Sequence, residues 1–577
     1  MKRAESFSHS LFSPGTAFLL SWTLSICAMP QDLTWGDAPE LAASAWTLGV
    51  PHPTGYSFYM LAVHLCQWLP CGTVIFRAHL FSAFCSALAC GVLFVALRRL
   101  LEDAGDIESL APPSAMLAIM AYRLTPAVWE QSLTAEVYAL FALEFVLILY
   151  ILPWIIRRPR ITLAPLAFLI GLLLVHHRLS IFSILLVLIL FWIRVSPVLT
   201  RWLRLPDCDV KISGIDFLFA GLCAIPPLLL LLYFPFRAWK NPPIDWFDPE
   251  TFSRWLQLVN GGQFNDILQR GIAAFISRFH PAYAAAFFFL PLFCYGFAAI
   301  LAVWGWIVLF RQRIWLGLLT LALFAVYQGF FLVYITGDRQ VFLLPALLTL
   351  TMPLAFGAAD IFSRLRRSNL SFSSWIGASL VLVLAAISPL FLAYDDRKPF
   401  FPVSVESIAN RFAAAGDRSA SSYADGVWRF APPGRPILTG LFEPSADNEY
   451  FPLLYQQIVE CRGVSTPLIG AGFLFYDWYR DQLNSRLSQP LEMRGDRLML
   501  TREDWLEDVW LTIVEPGLQD GSIAVTTQHI PPSWFERARI REAARITVDR
   551  RAISLSYQSY IPSGFVYILS AKNKDNR

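Results

Sequence analysis

Long apolar segments limit this chain to very few folds. Two of them, at residues 161–175 and 214–236, read ITLAPLAFLIGLLLV and GIDFLFAGLCAIPPLLLLLYFPF. Segments of about 20 mostly apolar residues are long enough to cross a bilayer as helices. The composition agrees, because 56% of the 577 residues are hydrophobic and only 15% are charged. The sequence therefore predicts a polytopic α-helical membrane protein.

The apolar segments predict about 11 transmembrane helices. A further apolar segment at 56–70 is short and rich in aromatic residues, so we expect it to lie along the membrane surface or to re-enter it. The first 29 residues resemble a signal peptide without a small-residue cleavage site, and we expect them to be retained as the first helix. The predicted spans are 13–30, 75–97, 112–130, 134–156, 161–176, 178–194, 214–236, 283–310, 314–335, 340–362 and 374–394.

Basic residues in the loops predict the orientation of these helices. With the N-terminus inside, sixteen Lys and Arg residues fall in the predicted inner loops and seven in the outer loops before residue 395. Cytoplasmic loops of membrane proteins are enriched in Lys and Arg. An odd number of spans then puts the first long loop (31–74) and the C-terminal region on the same, outer side.

The C-terminal third of the chain has the charge density and turn residues of a soluble domain. Four segments predict strands, namely RPILTGLF, STPLIGAGF, SIAVTTQ and AISLSYQSY. The segment DNEYFPLLYQQIVEC predicts an amphipathic helix. We therefore expect a transmembrane domain at 1–394 and an extracytoplasmic α/β domain at 395–577.

Several functional classes are disfavoured by the sequence. The formal net charge of +3 is small and scattered, which argues against nucleic acid as a partner. Most of the nine cysteines lie in apolar spans, so no disulfide framework is expected. The sequence has no Walker loop, dinucleotide fingerprint or Cys/His zinc spacing, which argues against nucleotide-driven work.

Ionisable residues collect at the predicted outer ends of the helices. Such groups are costly near a bilayer and usually mark a pathway or a site. Arginines suit phosphate oxygens, and a carboxylate beside them can act as a general base toward a hydroxyl. This pattern indicates group transfer from a lipid-phosphate donor. The residues are Asp32, Asp37, Glu40, Glu130, Glu136, His176, His177, Arg178, Arg237, Lys240, Asp245, Asp338 and Arg339.

Motifs along most of the chain are GDAPELAASAWTLGVPHPTGYSFY, LPCGTVIFRAHLFSA, VWEQSLTAEVYAL, YFPFRAWKNPPIDWFDPETF, GDRQVFLLPALLTL and RPILTGLFEPSADNEYFPLLYQQIVECRG. In sequence and in order they resemble a bacterial multi-spanning family of unknown function. The animal relative of that family is the membrane protein O-mannosyltransferase that modifies IPT domains.

The resemblance implies a GT-C-like fold in a bacterial inner membrane. It further implies an inverting glycosyltransferase that takes a sugar, mannose or another hexose, from a polyprenyl phosphate and transfers it to a hydroxyl of a protein or glycan. GT-C enzymes generally place an acidic residue of the first outer loop at the reaction centre, and Asp37 has that position here. Glu40, about one helical turn later, is expected to support Asp37 or to bind the acceptor. The two carboxylates leave open whether a divalent metal, Mg²⁺ or Mn²⁺, takes part.

Seven further residues are predicted to bind donor or acceptor: His52, Glu136, His177, Arg178, Arg237, Asp338 and Arg339. Several of the predicted catalytic and binding residues also have a simpler, structural interpretation. Asp37 could be only the N-cap of the next helix, and His52 could only shape a loop between two prolines. Arginines at helix ends can snorkel to the interface, and Asp338 could pair with Arg339.

The chain also departs from the family pattern, with Ala38-Pro39 after Gly-Asp, HHR at 176–178 and His79 in place of an Asn. Two other functions therefore stay open. One is a transporter or flippase of lipid-linked saccharides, although transporters often show inverted repeats and charges near the bilayer midplane, and neither is evident here. The other is a non-catalytic envelope assembly protein.

Overall fold

The computed structural model describes residues 12–103, 108–203, 205, 212–336, 339–368, 371–394, 403–441, 446–485, 501–527, 530–545 and 565–572. Up to residue 391 the described chain is helical. The first helices are α1 (Pro14–Ala28), α2 (Ala38–Thr47), α3 (Ser57–Cys66), α4 (Val74–Glu102), α5 (Ala111–Arg123), α6 (Pro126–Gln131), α7 (Tyr138–Arg157), α8 (Pro159–His176), α9 (Ser180–Val195) and α10 (Pro197–Trp202).

The second group of helices continues to the end of the apolar part of the chain. Short 3₁₀ turns join several of them, including Arg339–Leu343. The helices are α11 (Gly214–Leu229), α12 (Tyr233–Ala238), α13 (Phe252–Val259), α14 (Gly262–Ser277), α15 (Pro281–Phe288), α16 (Leu290–Cys294), α17 (Ala298–Gln312), α18 (Ile314–Val333), α19 (Leu344–Arg367) and α20 (Phe372–Ile387).

Seven helical segments in the described part of the chain are long and apolar enough to cross a membrane. All seven coincide with predicted spans, and the polytopic α-helical prediction is confirmed. The predicted spans 13–30, 178–194 and 283–310 fall on shorter apolar helices. The seven segments are Val74–Glu102, Tyr138–Arg157, Pro159–His176, Gly214–Ala238, Ile314–Val333, Arg339–Arg367 and Ser373–Phe391.

The predicted span 112–130 is divided between α5 and α6. Pro126 begins α6, and Thr125 before it is extended, with φ −64° and ψ 149°. A residue that precedes proline is pushed out of the helical region by the proline ring, so the helix breaks at this point. The short helix α3 has ten residues, too few to cross a bilayer, and it packs against α2, α4 and α8.

Close packing against α19 holds the helical part together. A Cβ atom on Gly305 of α17 would overlap the carbonyl of Pro353, and one on Gly357 of α19 would overlap the carbonyl of Leu301. Small residues let two helix backbones approach closely, which is how helices gain packing energy inside a bilayer. The apolar window of α19 is buried throughout, so this helix lies at the centre of the bundle.

The C-terminal region forms a mixed sheet flanked by helices. Its five strands lie in the order β4-β3-β5-β7-β6, with β3 parallel to β4 and β5, and β7 antiparallel to β5 and β6. A separate antiparallel pair, β1 and β2, precedes it. The strands are β1 (Leu392–Tyr394), β2 (Val403–Val405), β3 (Ile437–Thr439), β4 (Leu468–Gly470), β5 (Ser522–Thr527), β6 (Ala538–Arg545) and β7 (Phe565–Ala571).

The predicted strands RPILTGLF, STPLIGAGF and SIAVTTQ contain β3, β4 and β5, while AISLSYQSY lies outside the described residues. The predicted amphipathic helix is also present, as α23. The helices of this region are α21 (Ile408–Ala413), α22 (Ser419–Phe430), α23 (Ala446–Ile458), α24 (Asp477–Asn484), α25 (Arg502–Val509), α26 (Glu515–Gln519) and α27 (Pro532–Arg537).

The C-terminal region is bonded directly to the loop that contains Asp37. The Trp35 indole donates to Ser419 Oγ at 2.7 Å, and the Gly36 amide donates to Asn448 Oδ1 at 2.7 Å. Both bonds are made by residues that lie just before the start of α2. They position the Gly-Asp turn against the helices α22 and α23.

Candidate active site

The candidate site is built around the N-terminal turn of α2 and the loop that follows this helix. Asp37 occupies the N-cap position of α2, yet its side chain makes no capping hydrogen bond. Pro39 and Glu40 lie in the first turn of the helix. The simpler interpretation of Asp37 as a helix cap therefore lacks its hydrogen bond, and the carboxylate faces other groups.

His52 lies between the two carboxylates of this turn. Its Nδ1 is 2.9 Å from Glu40 Oε2, and its Nε2 is 3.6 Å from Asp37 Oδ2. Glu40 Oε1 also accepts the backbone N–H of His52 at 3.1 Å. The Glu40 side chain is 0% exposed, whereas that of Asp37 is 33% exposed. Glu40 thus holds the histidine from the protein side, and Asp37 is the carboxylate that a ligand can reach.

The contacts of His52 suit an imidazolium, in which both ring nitrogens carry protons. The Tyr56 hydroxyl donates its single proton to the carbonyl of Pro53 at 3.0 Å, so its oxygen, 3.4 Å from His52 Nε2, acts there as an acceptor. Burial lowers the pKa of His52, but the charges of Asp37 and then Glu40 outweigh it and raise the pKa to about 10. His52 is therefore an imidazolium at neutral pH.

Aromatic rings extend the site from His52 toward the membrane helices. The Tyr56 ring stacks on His177 with centroids 6.0 Å apart, and His177 lies 5.3 Å from the Tyr138 ring. Glu136 is buried near the start of α7, and its charge contributes to the raised pKa of His52. The structure thus brings together Asp37, Glu40, His52, Glu136 and His177 of the predicted residues.

Arg237 lies at the other end of α2. Its Nη2 donates to the Thr47 carbonyl at 3.1 Å, and its Nε donates to the Leu48 carbonyl. Leu48 is left-handed, with φ 51° and ψ 44°, and ends the helix. A cation on the last carbonyls of a helix also favours the helix dipole. The structure therefore places Arg237 on the α2 C-terminus rather than among the carboxylates.

The other predicted cations are placed separately. Arg339 lies between two phenyl rings, with Cζ 4.4 Å from the Phe287 centroid and 4.4 Å from that of Phe331. The Nε of Arg339 is buried and has no hydrogen-bond partner. Arg178 is exposed at the turn between α8 and α9. Asp338 lies outside the described residues, so its predicted pairing with Arg339 is left as a prediction.

Arg339 is linked to the carboxylate cluster through aromatic contacts. The Phe342 ring, in the same 3₁₀ turn as Arg339, lies 6.2 Å from Tyr138 and 5.0 Å from Tyr334. Tyr138 in turn contacts His177. Arg339 is therefore connected to the cluster through Phe342 of its own turn, while its guanidinium contacts Phe287 and Phe331. With regard to metals, no group of three or more His, Cys, Asp or Glu among the described residues is arranged to hold an ion.

Sequence reasoning missed three contributors to this region. Tyr56, in the segment expected at the membrane surface, was not predicted as a site residue, but it bonds with the loop and contacts both His176 and His177. Trp246 was not among the predicted site residues, but its ring lies 6.1 Å from that of His52. Glu144, inside a predicted span, pairs with His176 at 2.7 Å. The contact between Tyr56 and His52 is local, because a turn at 52–55 brings together two residues four positions apart, so the sequence could have indicated it. The contact between Trp246 and His52 depends on tertiary packing and could not be read from the sequence.

Comparisons with known proteins agree with this architecture. Residues 37–200 match the family described as the Protein O-mannosyl-transferase TMEM260 N-terminal domain. The Protein O-mannosyl-transferase TMEM260 of Mus musculus is 34% identical over 114 residues, which are 19% of this chain and 15% of the mouse protein. The chain therefore aligns with less than a fifth of that relative's length.

A solved structure resembles the chain over nearly its full length. The crystal structure of ArnT from Cupriavidus metallidurans in the apo state matches with a TM-score of 0.50 and 12% identity, over 95% of this chain and 96% of that chain. The fold is thus the polytopic GT-C-like fold that the sequence predicted. The chain is thus similar to the animal O-mannosyl-transferase over part of its N-terminal region, and its fold is similar to that of ArnT.

Proposed function

We propose that this protein is a membrane glycosyltransferase that transfers a sugar from a polyprenyl-phosphate donor to a hydroxyl of a protein or glycan. The observation that carries the proposal is the pairing of a partly exposed Asp37 carboxylate with the buried His52 imidazolium. Both residues lie in the segment that matches the O-mannosyl-transferase family. Mannose is the sugar that the name of this relative suggests.

Asp37 is the group that acts on the acceptor in this proposal. Its carboxylate accepts the proton of the acceptor hydroxyl while the hydroxyl oxygen attacks C1 of the sugar. The bond between C1 and the phosphate oxygen breaks at the same time, and the lipid phosphate leaves with the bonding electron pair. Attack opposite the leaving group inverts the configuration at C1. His52 lies 3.6 Å from Asp37 and keeps the carboxylate oriented.

Glu40 is a positioning residue in this scheme. It is fully buried and binds both the backbone N–H and Nδ1 of His52, so it cannot reach an acceptor. Its charge keeps His52 protonated. The imidazolium in turn offsets the negative charge that Asp37 and Glu136 place in the site, which matters because the donor is an anion.

Arg339 is the best placed cation for the donor phosphate. Two phenyl rings hold its guanidinium, and one buried N–H lacks a partner. A buried donor without a partner costs free energy, which an anionic oxygen would recover. Arg178 and Asp338 remain proposed contacts at the same predicted membrane face, and Arg237 serves the donor indirectly by fixing the end of α2.

The proposed orientation puts the site and residues 395–577 outside the cytoplasm of a bacterial inner membrane. The excess of Lys and Arg in the opposite loops supports it. The hydrogen bonds from Trp35 and Gly36 to the C-terminal region further support one shared compartment for both parts.

The test is transfer of labelled mannose from polyprenyl phosphate by the purified protein in detergent. Asp37→Asn keeps the shape of the side chain but removes the base, and we expect the rate to fall by about 10²–10⁴-fold. Asp32→Asn is the matched control, since Asp32 lies in the same loop and bonds to its neighbour's amide. Undiminished transfer by Asp37→Asn would refute the role. Movement of lipid-linked sugar across vesicles without transfer would establish a flippase instead.

A further inference from the structure

A cavity lies between the loop 243–246 and the C-terminal region. It has a volume of about 250 Å³ and is lined by that loop and by residues of α23, β4 and α24. Pockets for drug-sized molecules are usually larger, about 300–1,000 Å³, so this one suits a ligand of one or two rings. None of the catalytic groups described above lines it.

Aromatic side chains form much of the cavity wall. The Trp246 ring lies 5.0 Å from the Trp478 ring and 5.3 Å from that of Phe473. Tyr450 and Tyr479 complete this part of the lining. Flat ring faces of this kind pack well against the C–H face of a pyranose, which exposes both apolar and polar surface.

Two residues that line the cavity each carry a buried polar atom without a hydrogen-bond partner. These atoms are Oδ1 of Asp245 and Nε1 of Trp478, in residues that are 5% and 7% exposed. Oδ1 accepts hydrogen bonds and the indole N–H donates them. A hydroxyl can satisfy both, because it donates and accepts, whereas an apolar side chain of a peptide satisfies neither. Buried polar groups normally have partners, so a hydroxylated ligand that reached these two atoms would recover the free energy that an unpartnered group costs.

The cavity is joined to the proposed reaction centre by the loop itself. The Val50 amide donates to the Ile244 carbonyl at 2.9 Å, and the Trp246 amide donates to the Val50 carbonyl at 3.0 Å. Trp246 lines the cavity, and its ring also lies 6.1 Å from that of His52. The Trp246 side chain would then lie between a sugar bound here and His52, the residue that orients Asp37.

We propose that this cavity is a carbohydrate subsite, in which Trp246 and Trp478 pack on a pyranose ring and Asp245 and the Trp478 indole bind its hydroxyls. If the proposed function holds, the cavity is a subsite for the acceptor. The acceptor is then a glycan that already carries a sugar, and this part of the proposal rests on the proposed function. The unpartnered polar atoms favour a hydroxylated ligand over an apolar one, and the aromatic lining favours a sugar ring. The ligand class and the transfer reaction can therefore be tested separately.

The test is direct binding of methyl hexosides and N-acetylhexosaminides to the full-length protein in detergent, followed by saturation-transfer NMR and tryptophan fluorescence. Trp478→Phe removes the indole N–H and keeps an aromatic ring. We expect it to weaken binding of the best sugar at least about tenfold, the effect of losing a net hydrogen-bond energy of about 1.4 kcal/mol. Trp68→Phe is the control, since Trp68 is 67% exposed and lies outside the lining.

Two further variants make each outcome decisive. Asp245→Leu removes the carboxylate, and it should weaken binding even if Trp478→Phe folds poorly. Asp37→Asn should bind the sugar like the wild type. Sugar binding in a protein that lacks transferase activity would keep the subsite and reject the proposed function. Absence of sugar binding, equal binding by Trp478→Phe and Trp68→Phe, or displacement by a sugar-free peptide would overturn the subsite.

Discussion

The Nδ1 nitrogen of His52 lies 2.9 Å from Oε2 of Glu40, whose side chain is fully buried. The other Glu40 oxygen accepts the His52 amide at 3.1 Å, so one carboxylate fixes both the backbone and the ring of the histidine. This double contact joins the first turn of α2 to the loop twelve residues later. The charge state of His52 is consequently under the control of a residue that a substrate cannot touch.

Replacement of Glu40 by Gln should reduce activity through His52. The amide keeps an oxygen for the His52 backbone but removes the negative charge beside Nδ1. Loss of a hydrogen bond to a charged group costs about 2 kcal/mol, so we expect kcat/KM at neutral pH to fall about thirtyfold. The pKa of His52 then falls, because only Asp37 and Glu136 still oppose the effect of burial, so activity should recover partly as the pH is lowered. The measurement is kcat/KM against pH.

Glu102→Gln is the control for this change, because it removes the same charge from a pair with Arg98 at the end of α4. It should leave the pH profile unchanged. If Glu40→Gln lowered kcat/KM equally at every pH, the charge of Glu40 would not be acting on His52.

The wild-type protein should lose stability as the pH rises. The folded state raises the pKa of His52 from 6.5 to about 10. The stabilisation by this pair is therefore complete below pH 6.5 and is lost as the pH rises through 10. The free energy of unfolding should fall by at most about 1.4 kcal/mol per pH unit within this window. Thermal unfolding in detergent from pH 6 to pH 10, compared with Glu40→Gln, measures the difference, which should disappear at the alkaline end.

The alkaline range should also affect the donor. When His52 becomes neutral, Asp37 and Glu40 are no longer balanced by a cation, and an anionic donor meets more repulsion. The KM for the donor should therefore rise near pH 10. An unchanged KM through pH 10 would contradict the proposed electrostatic role of the histidine.

Apolar patterning explains why the membrane helices could be predicted. A segment such as Val74–Glu102 has no other favourable location than a bilayer or a large core, and every one of the seven long helices lay on a predicted span. Asp37 and Glu40 could be placed on one helical turn, since local spacing decides it. The partners of Arg237 could not, because the carbonyls of Thr47 and Leu48 precede it by 190 and 189 residues and meet it only through tertiary packing.

Arg237→Ala should act mainly on stability. The guanidinium bonds to the last carbonyls of α2, and its loss leaves them unpartnered at a helix end. We expect the free energy of unfolding to fall by about 1–2 kcal/mol, with a smaller effect on the KM for the donor. Lys240→Ala, an exposed cation of the same turn, is the control. A large rise in this KM at unchanged stability would instead place Arg237 on the donor phosphate.

Arg339→Lys should weaken donor binding although it keeps the positive charge. Lysine lacks the planar fork that packs between Phe287 and Phe331 and that presents an N–H to a phosphate oxygen. We expect the KM for the donor to rise about tenfold with a smaller change in kcat, the pattern of a group that binds the ground and transition states alike. Arg278→Ala, an exposed arginine before α15, should leave both constants unchanged. A fall in kcat alone would contradict a role in binding.

Asp245→Asn should stabilise the protein in neutral and alkaline solution. Burial, with the nearby charges of Asp248 and Glu250, raises the pKa of Asp245 from 3.8 to about 8. The unfolded chain ionises at the lower pH while the folded chain holds the proton, so this group destabilises the fold increasingly between pH 3.8 and 8. Asparagine carries no such penalty, and its advantage should grow by at most about 1.4 kcal/mol per pH unit across the window and then level off.

Thermal unfolding of both proteins from pH 4 to pH 9 measures this difference in stability, with Asp248→Asn as the partly exposed neighbour for comparison. Equal unfolding curves at every pH would mean that Asp245 is ionised at little cost. In that case a sugar hydroxyl would meet an ionised carboxylate rather than a neutral carboxyl group.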